Sequence, residues 1–213
     1  MNTMNLKQIP GYNSNEYLLV LNPHEDLHDK IMQVKKEFFE KYKAATALYS
    51  KPHITLVNFI QFEMIEERLI NRLKIIAGGY HSFKVALKDY GGFASHTIFI
   101  KVESKQQVQN LGKALRPAQQ LMTLNKYNKP HFMNDPHLTV ARNLLPWQYE
   151  KGWPDYSHRH FAGCFMANEM LLLKRSLKIQ SDGHILTGKY QTVQRFEFMN
   201  LPVNTKQGEL FMQ

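Results

Sequence analysis

Cysteine is nearly missing from this sequence: among 213 residues only Cys164 carries a thiol. One thiol excludes an intrachain disulfide framework and fits a reducing compartment. Its apolar, strand-like surroundings read as those of a small buried residue rather than a nucleophile. Long apolar runs are missing as well. No stretch approaches the length of a membrane span, and Met1 to Gly11 lacks the apolar core of a signal peptide. These absences give the expectation of a cytoplasmic protein without a membrane partner. No segment rich in Gly, Pro or Ser divides the chain, and no dense block of Lys and Arg marks a nucleic-acid-coating tail. A Gly-rich phosphate loop, a G-x-S-x-G elbow and an H-E-x-x-H zinc helix are all absent.

What is present is an ordinary globular composition with a basic excess. Lys and Arg total 27 against 18 Asp and Glu, a net charge of +9, which favours polyanionic partners. The chain is long enough for one domain with a substantial core, or for two small lobes sharing one.

The pass along the chain gives alternating elements. Glu16 to Leu21 reads as a strand. Asn22-Pro23 then supplies an N-cap and first-turn proline for a helix to about Tyr42, with Ile31, Val34, Phe38 and Phe39 at helical spacing. Lys51 to Ile60 reads as a strand. Phe62 to Ala77 reads as a helix with the stripe Ile65, Leu69, Leu73 and Ile76, ended by Gly78-Gly79. Ser82 to Tyr90 and His96 to Glu103 are two strands joined at Gly91-Gly92. A helix from about Gln106 to Met122 follows, with Pro117 a kink or early stop. Residues 123–135 form a polar loop, and Pro146 to Tyr156 is a short helix. Gly163 to Leu177 and Gly188 to Met199 are two late strands joined through Ser181-Asp182-Gly183, and the tail from Leu201 has little periodicity. The order of elements in the second half roughly echoes the first, which points to an internal duplication about a pseudo-two-fold axis.

One phrase occurs twice. Pro52-His53-Ile54-Thr55-Leu56 returns as Pro136-His137-Leu138-Thr139-Val140. In each copy a His and a Thr lie two residues apart, so a strand presents them side by side on one face and turns the apolar residues to the other. From this composition a given His has Thr two places on in roughly 4% of cases. Requiring the Pro and both apolar flanks lowers that to on the order of one in a thousand, so two copies are not chance.

Two His and two Thr facing each other across a cleft suit displacement at phosphorus without a metal. The reaction needs a base on the entering oxygen and an acid on the leaving oxygen, roughly in line. Histidine serves in either role near neutral pH, and Thr hydroxyls hydrogen-bond the non-bridging oxygens. Around them, Lys126, Lys129 and His131 in the loop before the second motif are candidates to meet substrate phosphates. Arg142, three residues beyond Thr139, falls on the opposite face of a regular strand; otherwise it neutralises phosphate from the strand end or pairs with a carboxylate. Tyr90, Phe93 and Tyr127 are the loop aromatics available to stack a base. His24 and His28, four apart, and the pair His158/His160 have metal-compatible spacing, but no Cys, His or carboxylate cluster completes a site.

The paired motifs, half a chain apart, resemble the signature of the 2H phosphoesterase superfamily. The continuation His137-Leu138-Thr139-Val140-Ala141-Arg142 is most similar to its LigT branch, also called 2'-5' RNA ligase-like or RNA 2',3'-cyclic phosphodiesterase. The resemblance covers about Glu16 to Met199, and only the two motifs are specific to it. It implies a bilobal, duplicated α+β fold, two antiparallel sheets flanking a central cleft with helices outside. Residues 1–213 would form a single bilobal domain with a core of about 16–199 and a C-terminal extension over 200–213. It implies a hydrolase without cofactor or metal, acting on RNA or nucleotides with a 2',3'-cyclic phosphate or a 2'-5' linkage, with a role in RNA processing. His53 and His137 become the acid/base pair, and Thr55 and Thr139 bind the phosphate. By analogy His137 activates water and His53 protonates the leaving oxygen, giving a 2'-phosphate. The interval with Trp147, Trp153 and His158-Arg159-His160 has no counterpart in the family pattern. A reading from another class is a non-catalytic RNA- or nucleotide-phosphate-binding module that keeps the cleft for recognition. A third is a metal-dependent hydrolase built on His24, His28 or the His158/His160 pair.

Overall fold

The computed structural model describes residues 11–94, 96–180 and 185–201. Helical stripes and strand alternation build the elements in chain order. Strand β1 (Ser14–Leu21) leads to helix α1 (Glu25–Tyr42), and strand β2 (Ile54–Phe62) leads to helix α2 (Glu66–Gly78). Strands β3 (Phe83–Phe93) and β4 (Thr97–Val102) precede helices α3 (Lys105–Ala114) and α4 (Gln119–Met122). Strands β5 (His131–Phe132) and β6 (His137–Arg142) precede helix α5 (Pro146–Ser157). Strands β7 (Ala162–Ala167), β8 (Glu169–Ile179), β9 (Ile185–Thr187) and β10 (Gln191–Glu197) close the chain.

The strands form one sheet in the order β10-β8-β1-β2-β6-β4-β3-β7, with β5 beside β2 and β9 beside β8. Its two four-stranded halves meet at the motif strands. β2 and β6 are antiparallel and share a single register pair, Ile54 opposite Leu138. Each motif strand has an inner flank reached through a helix: β1 leads by α1 into β2, and β4 leads by α3 into β6. β4 thus serves as the first strand of the second repeat, which is why the repeat in sequence is only rough.

The core lies on one face of this sheet. Leu27, Ile31, Phe38 and Tyr42 of α1, Leu69 and Leu73 of α2, Val108 and Leu111 of α3 and Tyr156 of α5 all join the same buried cluster. β1 is apolar on both faces. Tyr17, Leu19 and Leu21 enter that core, while Leu18 and Val20 form a second, smaller cluster with Leu171 on the opposite, helix-free face. Gln148 joins two helix ends: its buried amide accepts from the Leu145 N–H at 2.9 Å and donates to the Tyr42 carbonyl at 3.1 Å.

Several expectations are corrected. The N-cap of α1 is His24 and Pro23 precedes it, so the proline sets the entry to the helix without occupying its first turn. Gly91-Gly92 is no turn. β3 runs through both glycines to Phe93, because the Phe99 ring lies over Gly91: a Cβ there would sit 2.4 Å from a ring carbon. The expected helix over 106–122 breaks after Ala114 into a 3-10 turn at Arg116–Ala118 and the short α4, since Pro117 has no N–H to continue it. Gly163 to Leu177 is two strands at different places in the sheet, divided at Asn168, and the last expected strand starts at Gln191, with Gly188 to Tyr190 outside it. Cys164 is exposed, because β7 is the last strand of the sheet and Ala162, Cys164 and Met166 point away from the core. Beyond β10, the Asn200 and Leu201 N–H groups donate to the carbonyls of Tyr80 and Gly78, at 3.0 and 2.7 Å. The expected 181–183 turn lies outside the described residues, as does most of the expected 200–213 extension.

Candidate active site

The register at Ile54–Leu138 sets the site. With the strands antiparallel, His53 stands level with Thr139 and Thr55 level with His137. The two histidines therefore occupy opposite corners of a four-residue patch on the helix-free face, with a threonine beside each. All four side chains are half-buried.

The histidines are held alike. His53 Nδ1 lies 2.8 Å from the Lys51 carbonyl, and His137 Nδ1 lies 2.8 Å from the Asp135 carbonyl. A carbonyl only accepts, so in both rings Nδ1 carries the proton and donates it, which leaves Nε2 free for chemistry. The same turn, two residues back, therefore fixes the same tautomer in both copies. His137 is further clasped by Phe93 and Phe99, ring centroids 5.1 and 4.9 Å away. Burial pushes the His53 proton affinity down, and the charges of Lys35, Arg142 and His137 lower it further, against a rise from the Lys51 carbonyl. His53 is thus favoured as the neutral imidazole.

A β-bulge follows each threonine. In β2, Val20 pairs with Thr55 and Leu19 with Val57, so Leu56 is the extra residue. In β6, Phe99 pairs with Thr139 and Ile98 with Ala141, so Val140 is the extra residue. Both extra residues and their successors, Leu56-Val57 and Val140-Ala141, lie in the helix-side core. The next residue then returns to the face of the threonine. That residue is Asn58 in the first copy and Arg142 in the second. Arg142 is therefore brought to the site, against the regular-strand expectation that placed it opposite.

The bulges also break the symmetry. A cation stands at one end of the patch, an amide at the other. Asn58 donates to Glu16 at 3.0 Å, Glu16 is clamped by Arg175, and the buried Asn58 Oδ1 has no partner. His131, opposite Asn58 in β5, is exposed on the same face. Lys126 and Lys129 are exposed in the preceding loop, with Lys126 over the Tyr127 ring at 4.9 Å, and no hydrogen bond or ion pair among the described residues ties them to the motif residues. Phe93 reaches the site. Tyr90 does not: it is buried against Tyr156 and Phe161.

Two cations escaped the sequence reading. Lys101 lies directly opposite His137 in β4 and is exposed on the same face. Lys35 lies behind the patch, on the buried face of α1, and its ammonium donates to the Thr139 carbonyl at 3.2 Å. The signal for Lys35 was its place in the α1 stripe, four residues after Ile31. The Trp147–His160 interval is largely a helix tie. Arg159 pairs with Asp155 and Glu37, and Lys41 and Tyr42 hold Asp155 from α1. His28 pairs with Asp29 and His160 with Asp89, and no group of three or more His, Cys, Asp or Glu suited to a metal ion occurs among the described residues. A groove of about 710 Å³ along β8 and β9 contains none of the four motif side chains, and Lys174 and Arg175 in its wall are engaged by Glu63 and Glu66 and by Glu16.

Gly91 supports this arrangement from below. Gly91→Ala drives Phe99 toward His137, with an expected destabilisation of about 1–3 kcal/mol. Thermal melting combined with imidazole chemical shifts of His137 checks it; an unmoved His137 resonance with unchanged melting would show that the ring has room.

The model of the 2'-5' RNA ligase superfamily matches residues 23–178. Similar solved structures include LigT from E. coli complexed with 3'-AMP, at 15% identity and TM-score 0.60, over 87% of this chain and 98% of that one. TT0787 from Thermus thermophilus also has 15% identity and TM-score 0.60, over 86% and 98%. LigT complexed with NADP+ gives TM-score 0.52 at 15% identity, over 87% and 98%. No curated protein matches the sequence. No helix among the described residues is long and apolar enough to cross a membrane. The structural matches establish the α+β fold with its large antiparallel sheet, and the family match supports a phosphodiesterase-type activity. The chain belongs to the 2'-5' RNA ligase superfamily, within the 2H phosphoesterases.

Proposed function

We propose that the protein is a metal-independent phosphodiesterase that opens 2',3'-cyclic phosphates, or cleaves 2'-5' linkages, of RNA or nucleotides. The observation that carries this reading is the crossed placement of two His-Thr pairs by the Ile54–Leu138 register, each His with Nδ1 spent on a carbonyl. A phosphate over the patch meets one Nε2 on each side and a Thr hydroxyl beside each. On a 2',3'-cyclic phosphate, one imidazole takes the proton of water as the new P–O bond forms. The other gives its proton to the 3'-oxygen as the P–O3' bond breaks, leaving a 2'-phosphate and a free 3'-hydroxyl. Thr55 and Thr139 donate to the non-bridging oxygens, and Arg142 supplies charge at one end.

The environment of His53 favours it as the base. Burial and the charges of Lys35, Arg142 and His137 favour its neutral form in the free protein, which leaves His137 as the acid. This reverses the division of labour that the family analogy implies. The sign follows directly: a base with lowered pKa stays active further into acid. The acid limb of kcat/KM is expected below the ordinary histidine value of 6.5, and its midpoint moves when His53 is altered. A limb above that value would place the base elsewhere.

The test of the function is turnover of 2',3'-cyclic AMP and of a short RNA with a cyclic-phosphate end, in EDTA, with product identity read by phosphorus NMR. The expected product is the 2'-phosphate. No turnover of either substrate by folded protein would favour a nucleotide-phosphate-binding module.

A further inference from the structure

We propose that Lys35 is an electrostatic positioning residue of the phosphate site, acting on the substrate's anionic centre from behind the two motif strands. The inference rests on the two-histidine reading above.

Lys35 interrupts the apolar stripe of α1, between Ile31 and Phe38, and is only 1% exposed. The ladder between β2 and β6 stops at Ile54–Leu138. One residue beyond that pair, at Thr139, the Lys35 ammonium donates to the strand carbonyl at 3.2 Å. That is one bond for a group with three donors. Among the described residues Lys35 has no carboxylate partner; the charged groups that bear on it and on its neighbour His53 are Arg142 and His137.

A buried cation without an anion is costly and tends to shed its proton. Burial, reinforced by Arg142, pushes Lys35 down to about 8. No counter-ion explains why the chain keeps lysine on the core side of a helix. A phosphodiester seated between His53 and His137 would be that counter-ion, with Arg142 on the open face and Lys35 behind it. Lys35 then has two effects on one site. It fixes the peptide of Thr139, and its charge attracts the phosphate while holding His53 neutral until the anion arrives.

The test uses inorganic phosphate as probe and does not depend on turnover. Lys35→Met removes bond and charge, whereas Lys35→Gln keeps a donor for the Thr139 carbonyl and removes only the charge. Both variants are expected to bind phosphate about tenfold more weakly by calorimetry, and His53 should titrate at higher pH by NMR. A purely structural tether predicts the opposite pattern: Lys35→Gln would match the parent in both readouts, and the proposal would be overturned. A third measurement needs no variant. In the parent protein with ¹³C-labelled lysine, phosphate should raise the titration midpoint of Lys35, and an unmoved midpoint also overturns the proposal. Phosphate binding that depends on Lys35 without cleavage of any cyclic phosphate or 2'-5' linkage would uphold Lys35 and sink the phosphodiesterase reading. Cleavage with no dependence on Lys35 would do the reverse.

Discussion

Replacing either motif histidine by alanine is expected to lower turnover of a 2',3'-cyclic nucleotide by a factor of about 10²–10⁴, the usual worth of a positioned acid or base. His53 and His137 stand at opposite corners of the patch, so neither can take over the other's role. Each ring is half-buried and bonds only a carbonyl two residues upstream, so its loss leaves the sheet ladder intact. Melting should therefore stay close to the parent, which separates a chemical loss from a folding loss. The pair also differ in their expected pH signatures. His53→Ala should erase the acid limb of kcat/KM, whereas His137→Ala should leave that limb in place. Retention of more than a tenth of parental turnover in either variant would remove that histidine from the reaction.

Tyr156→Ala is expected to cost about 3–5 kcal/mol, in the range of other buried aromatic truncations. Its ring meets Phe38 at 5.1 Å, Tyr90 at 5.0 Å and Tyr42 at 6.5 Å, each edge-on. It is 1% exposed, and its hydroxyl donates to the Val34 carbonyl at 3.4 Å. One side chain thus joins α5 to α1 and β3, where little else could fill the space. For a chain of this length the loss corresponds to a fall in melting temperature of about 6–20 °C. Because α1 carries Lys35, the variant should also weaken phosphate binding before it unfolds. A shift of under 2 °C would show that Phe38 and Tyr90 close over the gap, and is not expected.

The sequence made the motif legible because alternation on a strand is a local rule. His53 with Thr55, and His137 with Thr139, share a face whatever the rest of the chain does. Their crossed pairing was not legible, because it depends on one inter-strand contact at Ile54 and Leu138. Alternation alone left Arg142 open, on the opposite face of a regular strand or meeting phosphate from the strand end. Its face is set by an extra residue at Val140, and nothing in an apolar side chain marks a bulge. Lys35 was passed over because lysine on a helix normally faces water, although its spacing from Ile31 put it on the buried stripe. Gly91-Gly92 looked like a turn because paired glycines so often are one. Here the missing side chain makes room for Phe99, a residue eight positions later. Cys164 looked buried from its apolar neighbours, but the last strand of a sheet leaves one of its faces uncovered.

The paired bulges carry a consequence for how the motif is counted. Each repeat is a six-residue unit in which the first, third and sixth side chains look out and the second, fourth and fifth look in. Two of the outward places are the same in both copies. The sixth is not: it is Asn58 in one and Arg142 in the other. A duplicated chain that keeps identical reagents at two places and varies the third can tell one end of a symmetric phosphate from the other. A strand of the same length without the bulge at Val140 would leave the His-Thr phrase readable while swinging the arginine to the wrong side. The spelling would survive and the polarity of the site would be lost.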